Sequence, residues 1–263
     1  MQILVCIKQV PAKSVSMDGD GVLKRTESGG KLNPWDLYAI EAALRIAEAT
    51  GGIVTALTMG PKSAEEVLRT AFSMGVDSGV LLSDKAFAGA DVYVTAYTLA
   101  AGIRALGTFD LVLCGQQTTD GDTAQLPFSL ATQLGIPAIG WIKSIDEITE
   151  TVLTLSQELT FGTQRVEITA PALLAVGAGI GRVRMPSLRD KLKAKSKEIR
   201  LLTLANLAEP NPAKYGLHAS PTNVVRTKAT EHPGKHSPEV LSASDAAKRI
   251  CDALSAVKGG ENT

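Results

Sequence analysis

Apolar residues follow two alternating patterns along the chain. Short continuous runs occur at Ile3–Ile7, Ile53–Met59, Val80–Ser83 and Asp110–Cys114. Between them the apolar residues are spaced at helical intervals, as in Leu37, Ile40, Leu44 and Ala47. The runs have the length of strands covered on both faces, and the spaced residues mark one side of a helix. Asn33-Pro34 supplies an N-cap and a first-turn proline for the first helix. Ser63 and Glu66 stand at capping-box spacing ahead of the second, and Asp91–Leu106 forms a third. Strand–helix alternation of this kind predicts a parallel sheet covered by helices. After Leu134 the pattern changes. Ile139–Ile145, Val152–Glu158 and Gln164–Thr169 are separated by turns and predict antiparallel strands, and Pro171–Gly177 returns to a buried run.

One strand–loop–helix unit stands out. Gly115 ends the run Asp110–Cys114, a polar loop (GQQTTDGDTAQ, Gly115–Gln125) follows, and Leu126, Leu130 and Leu134 then recur at helical spacing. The loop lies at the carboxyl end of its strand, where open α/β sheets bind ligands. It brings small residues, amides and hydroxyls to a helix N-terminus, whose free N–H groups and dipole favour an anion such as phosphate. The tetrad DGDT (Asp120–Thr123) also carries the two spaced aspartates of the DxDxT signature of phosphatases that form an aspartyl phosphate. In those enzymes the first Asp follows the strand at once, whereas Gln116–Thr119 intervene here. A metal pair at Asp120 and Asp122 has no other patterned carboxylate or histidine nearby. A plain solvated helix cap is the remaining alternative.

Composition narrows the class. A chain of 263 residues allows one large α/β domain, with or without an extension. Hydrophobic content of 44% with only 4% aromatic predicts a core of Val, Ile, Leu and Ala. Lys plus Arg equals Asp plus Glu at 27 each, so the basic surplus that nucleic acid demands is missing. The first apolar run is too short for a signal peptide and is interrupted by Lys8, and no run approaches the ~18 residues of a membrane span. Cys6, Cys114 and Cys251 are far apart without a CxxC, the pattern of reduced thiols in a cytoplasmic protein, and argue against an internal zinc or iron–sulfur site.

Five of the twelve prolines (Pro210, Pro212, Pro221, Pro233 and Pro238) cluster beyond Glu209 and predict an extended arm. A last helix from Ser242 carries Ala247, Ile250, Leu254 and Val257 on one side, a stripe that needs a covering surface. The boundary so predicted divides the chain into a domain over 1–208 and an arm with terminal helix over 209–263. GAGIG (Gly177–Gly181) matches part of a dinucleotide fingerprint, but Arg182–Pro186 follows in place of a helix, so it is expected to be a chain turn. Arg189–Arg200 (RDKLKAKSKEIR) has the spacing of a solvated basic helix.

Eight segments, in order, carry a resemblance: Val5–Pro11 (VCIKQVP), Leu32–Leu44 (LNPWDLYAIEAAL), Thr58–Pro61 (TMGP), Leu68–Asp77 (LRTAFSMGVD), Ser83–Asp91 (SDKAFAGAD), Cys114–Gln125 (CGQQTTDGDTAQ), Pro186–Ile199 (PSLRDKLKAKSKEI) and Gly216–Thr222 (GLHASPT). Over nearly its whole length the chain resembles the beta subunit of electron transfer flavoprotein. That resemblance implies an α/β class, a three-layer α/β/α fold with a mostly parallel sheet of the adenine-nucleotide-hydrolase-like type, and a C-terminal arm and helix packing on an alpha subunit. It implies a redox-active flavoprotein subunit that works only in that heterodimer. A nucleotide would be held at the carboxyl edge of the sheet by Cys6, by Asn33, Pro34, Trp35 and Asp36, by Met59, and by the loop Gly115, Gln116, Gln117, Thr118, Thr119, Asp120, Gly121, Asp122, Thr123, Ala124, Gln125 and Leu126. Leu188, flanked by Arg189 and Lys191, matches the family's recognition loop for an acyl-CoA dehydrogenase; basic flanks would steer an acidic partner.

The family has two branches. One keeps AMP in this site and passes electrons through a single flavin; the other holds a second FAD here, oxidises NADH and bifurcates electrons to ferredoxin and to the dehydrogenase. The AMP branch shows a loop resembling DDDCNQ. This chain has DGDTAQ, as in the bifurcating branch, where Gly121 and Ala124 would allow close approach of the pyrophosphate, Gly121 with an outward N–H and a positive φ. Phe87 and Asp91 in FAGAD, Thr95, and Ser220 and Thr222 in ASPT also resemble that branch and imply flavin contacts. Departures from its pattern are DVYVTA for DTLATS after Ala90, QTTDGDT for QAIDGDT, and ASPT for GSPT.

Overall fold

The computed structural model describes residues 1–12, 16–17, 23–24, 30–222 and 240–258, with backbone alone at 16–17, 23–24 and 256–258. In chain order the elements are β1 (Gln2–Cys6), β2 (Gln9–Pro11), β3 (Ser16–Met17), β4 (Leu23–Lys24), β5 (Gly30–Leu32), α1 (Pro34–Thr50), β6 (Ile53–Met59), α2 (Glu65–Met74), β7 (Ser78–Leu82), α3 (Val92–Leu106), β8 (Leu111–Gly115), α4 (Leu126–Leu134), β9 (Ala138–Ile148), β10 (Val152–Leu159), β11 (Gly162–Thr169), β12 (Ala172–Val176), α5 (Leu188–Ser196), β13 (Ile199–Leu202), α6 (Gly216–Ala219) and α7 (Ala243–Lys258).

Nine strands form one sheet in the order β11-β10-β9-β12-β8-β1-β6-β7-β13. From β9 to β13 the neighbours run parallel, and the meander β9-β10-β11 is antiparallel. Small ribbons pair β2 with β5 and β3 with β4. Strand β1 explains the layering: Ile3 and Val5 join a buried cluster with residues of α1 and α2, while Leu4 and Cys6 join one with residues of α3 and α4. Because both faces are covered, the parallel strands are continuous apolar runs. The result is the expected three-layer α/β/α fold, and GAGIG is the expected turn, a single 3-10 turn at Ala178–Ile180.

Three local expectations are corrected. Helix α2 starts at Glu65 after a 3-10 turn, Lys62–Ala64, without a side-chain cap. Ser63 faces Gln9 instead (Oγ to Oε1 3.2 Å), because Ala64, fully buried, draws the turn into the core. The basic run Arg189–Arg200 is only partly helical: α5 ends at Ser196, and Ile199–Leu202 pairs with β7 as the edge strand β13. The division at 208/209 moves as well. Contacts group Met1–Val225 and Arg226–Thr263 as two units. Tyr215 is buried against Phe87 and Tyr97, and its hydroxyl donates to the Glu209 carbonyl at 2.9 Å, which fastens this part of the arm to the α/β domain. Residues 223–239, with Pro233 and Pro238, lie outside the described residues, as does the Val257 side chain.

In the second unit α7 begins where expected. Ser242 accepts the Asp245 N–H at 3.2 Å, and Ile250 and Leu254 are exposed on the helix. Among the described residues no helix is long and apolar enough to cross a membrane.

Candidate functional site

The carboxyl ends of β1, β6 and β8 and the start of α1 bring together Cys6, Met59, Asn33–Asp36 and the loop Gly115–Leu126. Asp36, in the first turn of α1, is the floor of this site. Its Oδ2 accepts the Lys8 N–H at 2.7 Å and its Oδ1 accepts Asn33 Nδ2 at 2.9 Å. Burial raises its pKa from the ordinary 3.8 to about 7, against the lowering pull of Asn33 and Lys8. Gly115 makes this approach possible, since a Cβ there would stand 2.7 Å from the Trp35 carbonyl carbon and 2.8 Å from the Asp36 nitrogen.

Asn33 occupies the N-cap position of α1 but makes no side-chain cap. Its amide is used elsewhere: Nδ2 also donates to the Gln117 carbonyl at 2.9 Å, which ties the loop to the helix start. Among the described residues Asn33 Oδ1, Gln116 Oε1 and Thr58 Oγ1 are buried without a hydrogen-bond partner. Amide oxygens in that state lack donors, and a ligand with hydroxyl or amino groups can supply them.

The loop is turned by its own polar groups. Asp120 Oδ1 accepts the Gly121 N–H at 2.8 Å, and Asp122 N donates to the Thr118 carbonyl at 3.1 Å. Gly121 therefore spends its N–H inside the turn, and it is not among the residues of positive φ. Within the loop those are Asp122 (φ 46°) and Ala124 (φ 53°), both non-glycine residues in the left-handed region. Among the described residues nothing accepts the N–H of Thr123 or Ala124. Left-handed residues with free N–H groups ahead of a helix form a concavity suited to an anion. This corrects the expectation for Gly121: the free donors lie two and three residues later.

Partial burial pushes the Asp120 carboxyl up, but Lys8, 2.8 and 2.7 Å from its two oxygens, holds it below the usual carboxylate range. Sequence reasoning missed Lys8; the signal was its place just past the first strand in VCIKQVP. It also missed Thr58, which nothing but its burial distinguishes. Cys6 and Cys114 face each other in register across β1 and β8. The Cys6 thiol beside it, together with burial, raises the Cys114 pKa well above the ordinary thiol value. Among the described residues no group of three or more His, Cys, Asp or Glu could hold a metal.

Phe87, Asp91, Thr95, Ser220 and Thr222 form a second group at the start of α3, and no hydrogen bond among the described residues joins it to the first. Asp91 caps α3 through the Val94 N–H (2.9 Å) and accepts the Thr222 N–H (3.1 Å) and hydroxyl (2.7 Å). Its own N–H donates to Ser220 Oγ at 2.9 Å. Partial burial raises the Asp91 pKa, but these donors leave it lowered on balance. The Phe87 ring lies in the core, 5.4 Å from Tyr215, rather than on the sheet edge. Burying an aromatic ring outweighs exposing it to a polar site.

Leu188, Arg189 and Lys191 open α5, far from both groups in the chain order. Ser187 and Asp190 cap that helix reciprocally. Met185, Leu188 and Leu192 are each exposed. The segment before α5 is fixed to α1 by the buried Glu41, which accepts Arg184 Nε and Arg45 Nε, each at 2.8 Å.

An electron transfer flavoprotein domain matches residues 20–207. Among curated relatives, the chain is 40% identical to an electron transfer flavoprotein subunit beta from Thermoanaerobacterium thermosaccharolyticum, over 89% of this chain and 91% of that one. It is 36% identical to a caffeyl-CoA reductase-Etf complex subunit from Acetobacterium woodii, over 93% of each chain. It is also 36% identical to an acryloyl-CoA reductase electron transfer subunit gamma from Anaerotignum propionicum, over 86% of this chain and 88% of that one.

Proposed function

The chain belongs to the electron transfer flavoprotein family, among its beta subunits, and from that premise we propose that it holds an FAD at the Gly115–Leu126 loop and takes part in NADH-dependent electron bifurcation. The observation that carries this reading is the turn at Gly121–Ala124, where two left-handed residues leave the Thr123 and Ala124 N–H groups without acceptors among the described residues. Small residues at Gly121 and Ala124 let a pyrophosphate come close; a Cβ at Gly121 would meet nothing nearer than Thr118 Oγ1 at 3.6 Å. The donorless amide oxygens of Asn33 and Gln116 suit the hydroxyl and amino groups of an adenosine.

When bound, FAD would supply hydride acceptance from NADH and one-electron release, chemistry that no side chain of this chain performs. The chain's part is to hold and orient. Thr123 and Ala124 would donate to phosphate, Asn33 and Gln116 would accept from the nucleoside, and Asp91 fastens Ser220 and Thr222 beside the start of α3. One electron of the pair from NADH would go to a low-potential acceptor such as ferredoxin. The other would be destined for an acyl-CoA dehydrogenase, which Leu188 would help to dock.

Cofactor counts on the purified heterodimer test this directly. Two FAD per heterodimer with NADH oxidation are expected. One FAD and one AMP without NADH oxidation would replace the reading with a non-bifurcating carrier. Expressed without an alpha subunit, the chain is expected to be poorly soluble or cofactor-poor, and a stable, fully active monomer would overturn the heterodimer.

A further inference from the structure

A loop suited to phosphate should not itself be acidic, yet this one carries Asp120 and Asp122 within one turn. A carboxylate within about 4 Å of a phosphate opposes binding, because like charges at that range repel strongly near a protein surface. Lys8 pairs with one of these two carboxylates. Its ammonium contacts both Asp120 oxygens, at 2.8 and 2.7 Å, across 112 residues of sequence. The same residue's backbone N–H donates to Asp36 at 2.7 Å, so the connection between β1 and β2 that carries Lys8 is locked to the site floor. The pair is partly open to solvent, with Lys8 side-chain exposure of 42%, which leaves it in reach of an arriving anion.

Asp120 meanwhile holds the Gly121 N–H, and so shapes the turn that leaves Thr123 and Ala124 free. Its Oδ1 serves the turn as an acceptor, a role an amide oxygen can also fill, whereas its negative charge opposes the anion unless it is neutralised.

We propose that Lys8 is a positioning residue for anion capture: by pairing with Asp120 it keeps the turn in shape and cancels the charge that would repel a nucleotide phosphate. The proposal rests on the nucleotide reading of this loop. Lys8 acts through Asp120 rather than by gripping the phosphate itself, and this distinction makes it testable. Removing the ammonium leaves an uncompensated carboxylate, which costs more than the pair contributes.

The experiment is titration of the nucleotide-stripped heterodimer with AMP and, separately, with FAD. K8Q is expected to weaken both by about a hundredfold, while K8R stays within about threefold of the unaltered complex. The double variant K8Q/D120N is expected to recover at least tenfold over K8Q, because the exposed carboxylate is gone. A double variant no tighter than K8Q would overturn the proposal, as would K8Q binding like the unaltered complex. D120N alone is expected to bind at least as tightly as the unaltered complex, since it removes the repelling charge and keeps an acceptor for the turn, and it covers the case in which K8Q does not fold; a loss of tenfold or more there would make Asp120 a direct holder and refute neutralisation. If the unaltered complex binds neither AMP nor FAD, the nucleotide reading itself fails and takes this proposal with it.

Discussion

Asp36 and Asp91 are the same residue type at the start of two helices on the carboxyl side of one sheet, and they titrate in opposite directions. Asp36 is sealed beneath Gly115 with Lys8 and Asn33 as hydrogen-bond donors, and burial prevails, raising it to about 7. Asp91 lies nearer solvent and accepts from Val94 N–H and from both the N–H and the hydroxyl of Thr222, so donors prevail and lower it. A helix N-terminus favours a carboxylate in both places. Desolvation against donor supply decides which form is kept. The contrast separates two roles: Asp36 is floor, whereas Asp91 is a clasp between helix and arm.

The contrast can be broken at either end. The largest effect belongs to Asp36. Because its folded pKa lies above the unfolded value, the folded chain retains a proton that the unfolded chain has released between about pH 4 and pH 7. Stability present below that window is lost as pH rises through it, on the order of 4 kcal/mol by linkage. Chemical unfolding between about pH 4 and pH 8 should show that slope in the unaltered protein and not in D36N. A flat difference would mean that the carboxyl is not buried as described. Next comes Gly115→Ala, whose Cβ meets backbone at 2.7 and 2.8 Å. Overpacking against atoms that cannot swing away should cost about 3 kcal/mol in the same assay and displace Asp36.

Asp91→Ala should cost less, about 2 kcal/mol, from a lost cap and the released Thr222 bonds. Hydrogen exchange should rise at Ser220–Thr222 while α1 stays protected. The smallest effect on folding should be Gly121→Asp, within about 0.5 kcal/mol, since the position is open and its φ is ordinary. Its consequence should appear instead as FAD affinity at least tenfold weaker, read by calorimetry, with AMP binding kept.

Much of this was legible from pattern alone. The runs at Ile3–Ile7 and Ile53–Met59 became β1 and β6, and the change of pattern after Leu134 became the meander β9-β10-β11. Alternation and run length are local quantities, and a chain that must bury both sheet faces writes them openly. Capping was less legible. Asn33 and Ser63 have the right type at the right offset, yet Gln117 and Gln9 claimed their side chains. A cap is worth about 1 kcal/mol, small enough for a tertiary partner to override.

The sequence by itself determined the layered α/β class, the position of the Gly115–Leu126 loop at a strand's carboxyl end, and the family to which its motifs belong. Only the tertiary structure decided that Lys8 meets Asp120 across 112 residues, that Tyr215 fastens the arm to the α/β domain, and that Asp122 and Ala124 rather than Gly121 adopt the left-handed conformation. The division has one cause. Hydrophobic periodicity is set by neighbours in the chain, whereas charge pairing, burial of single polar groups and backbone strain depend on which distant residues the packed core brings within about 3 Å.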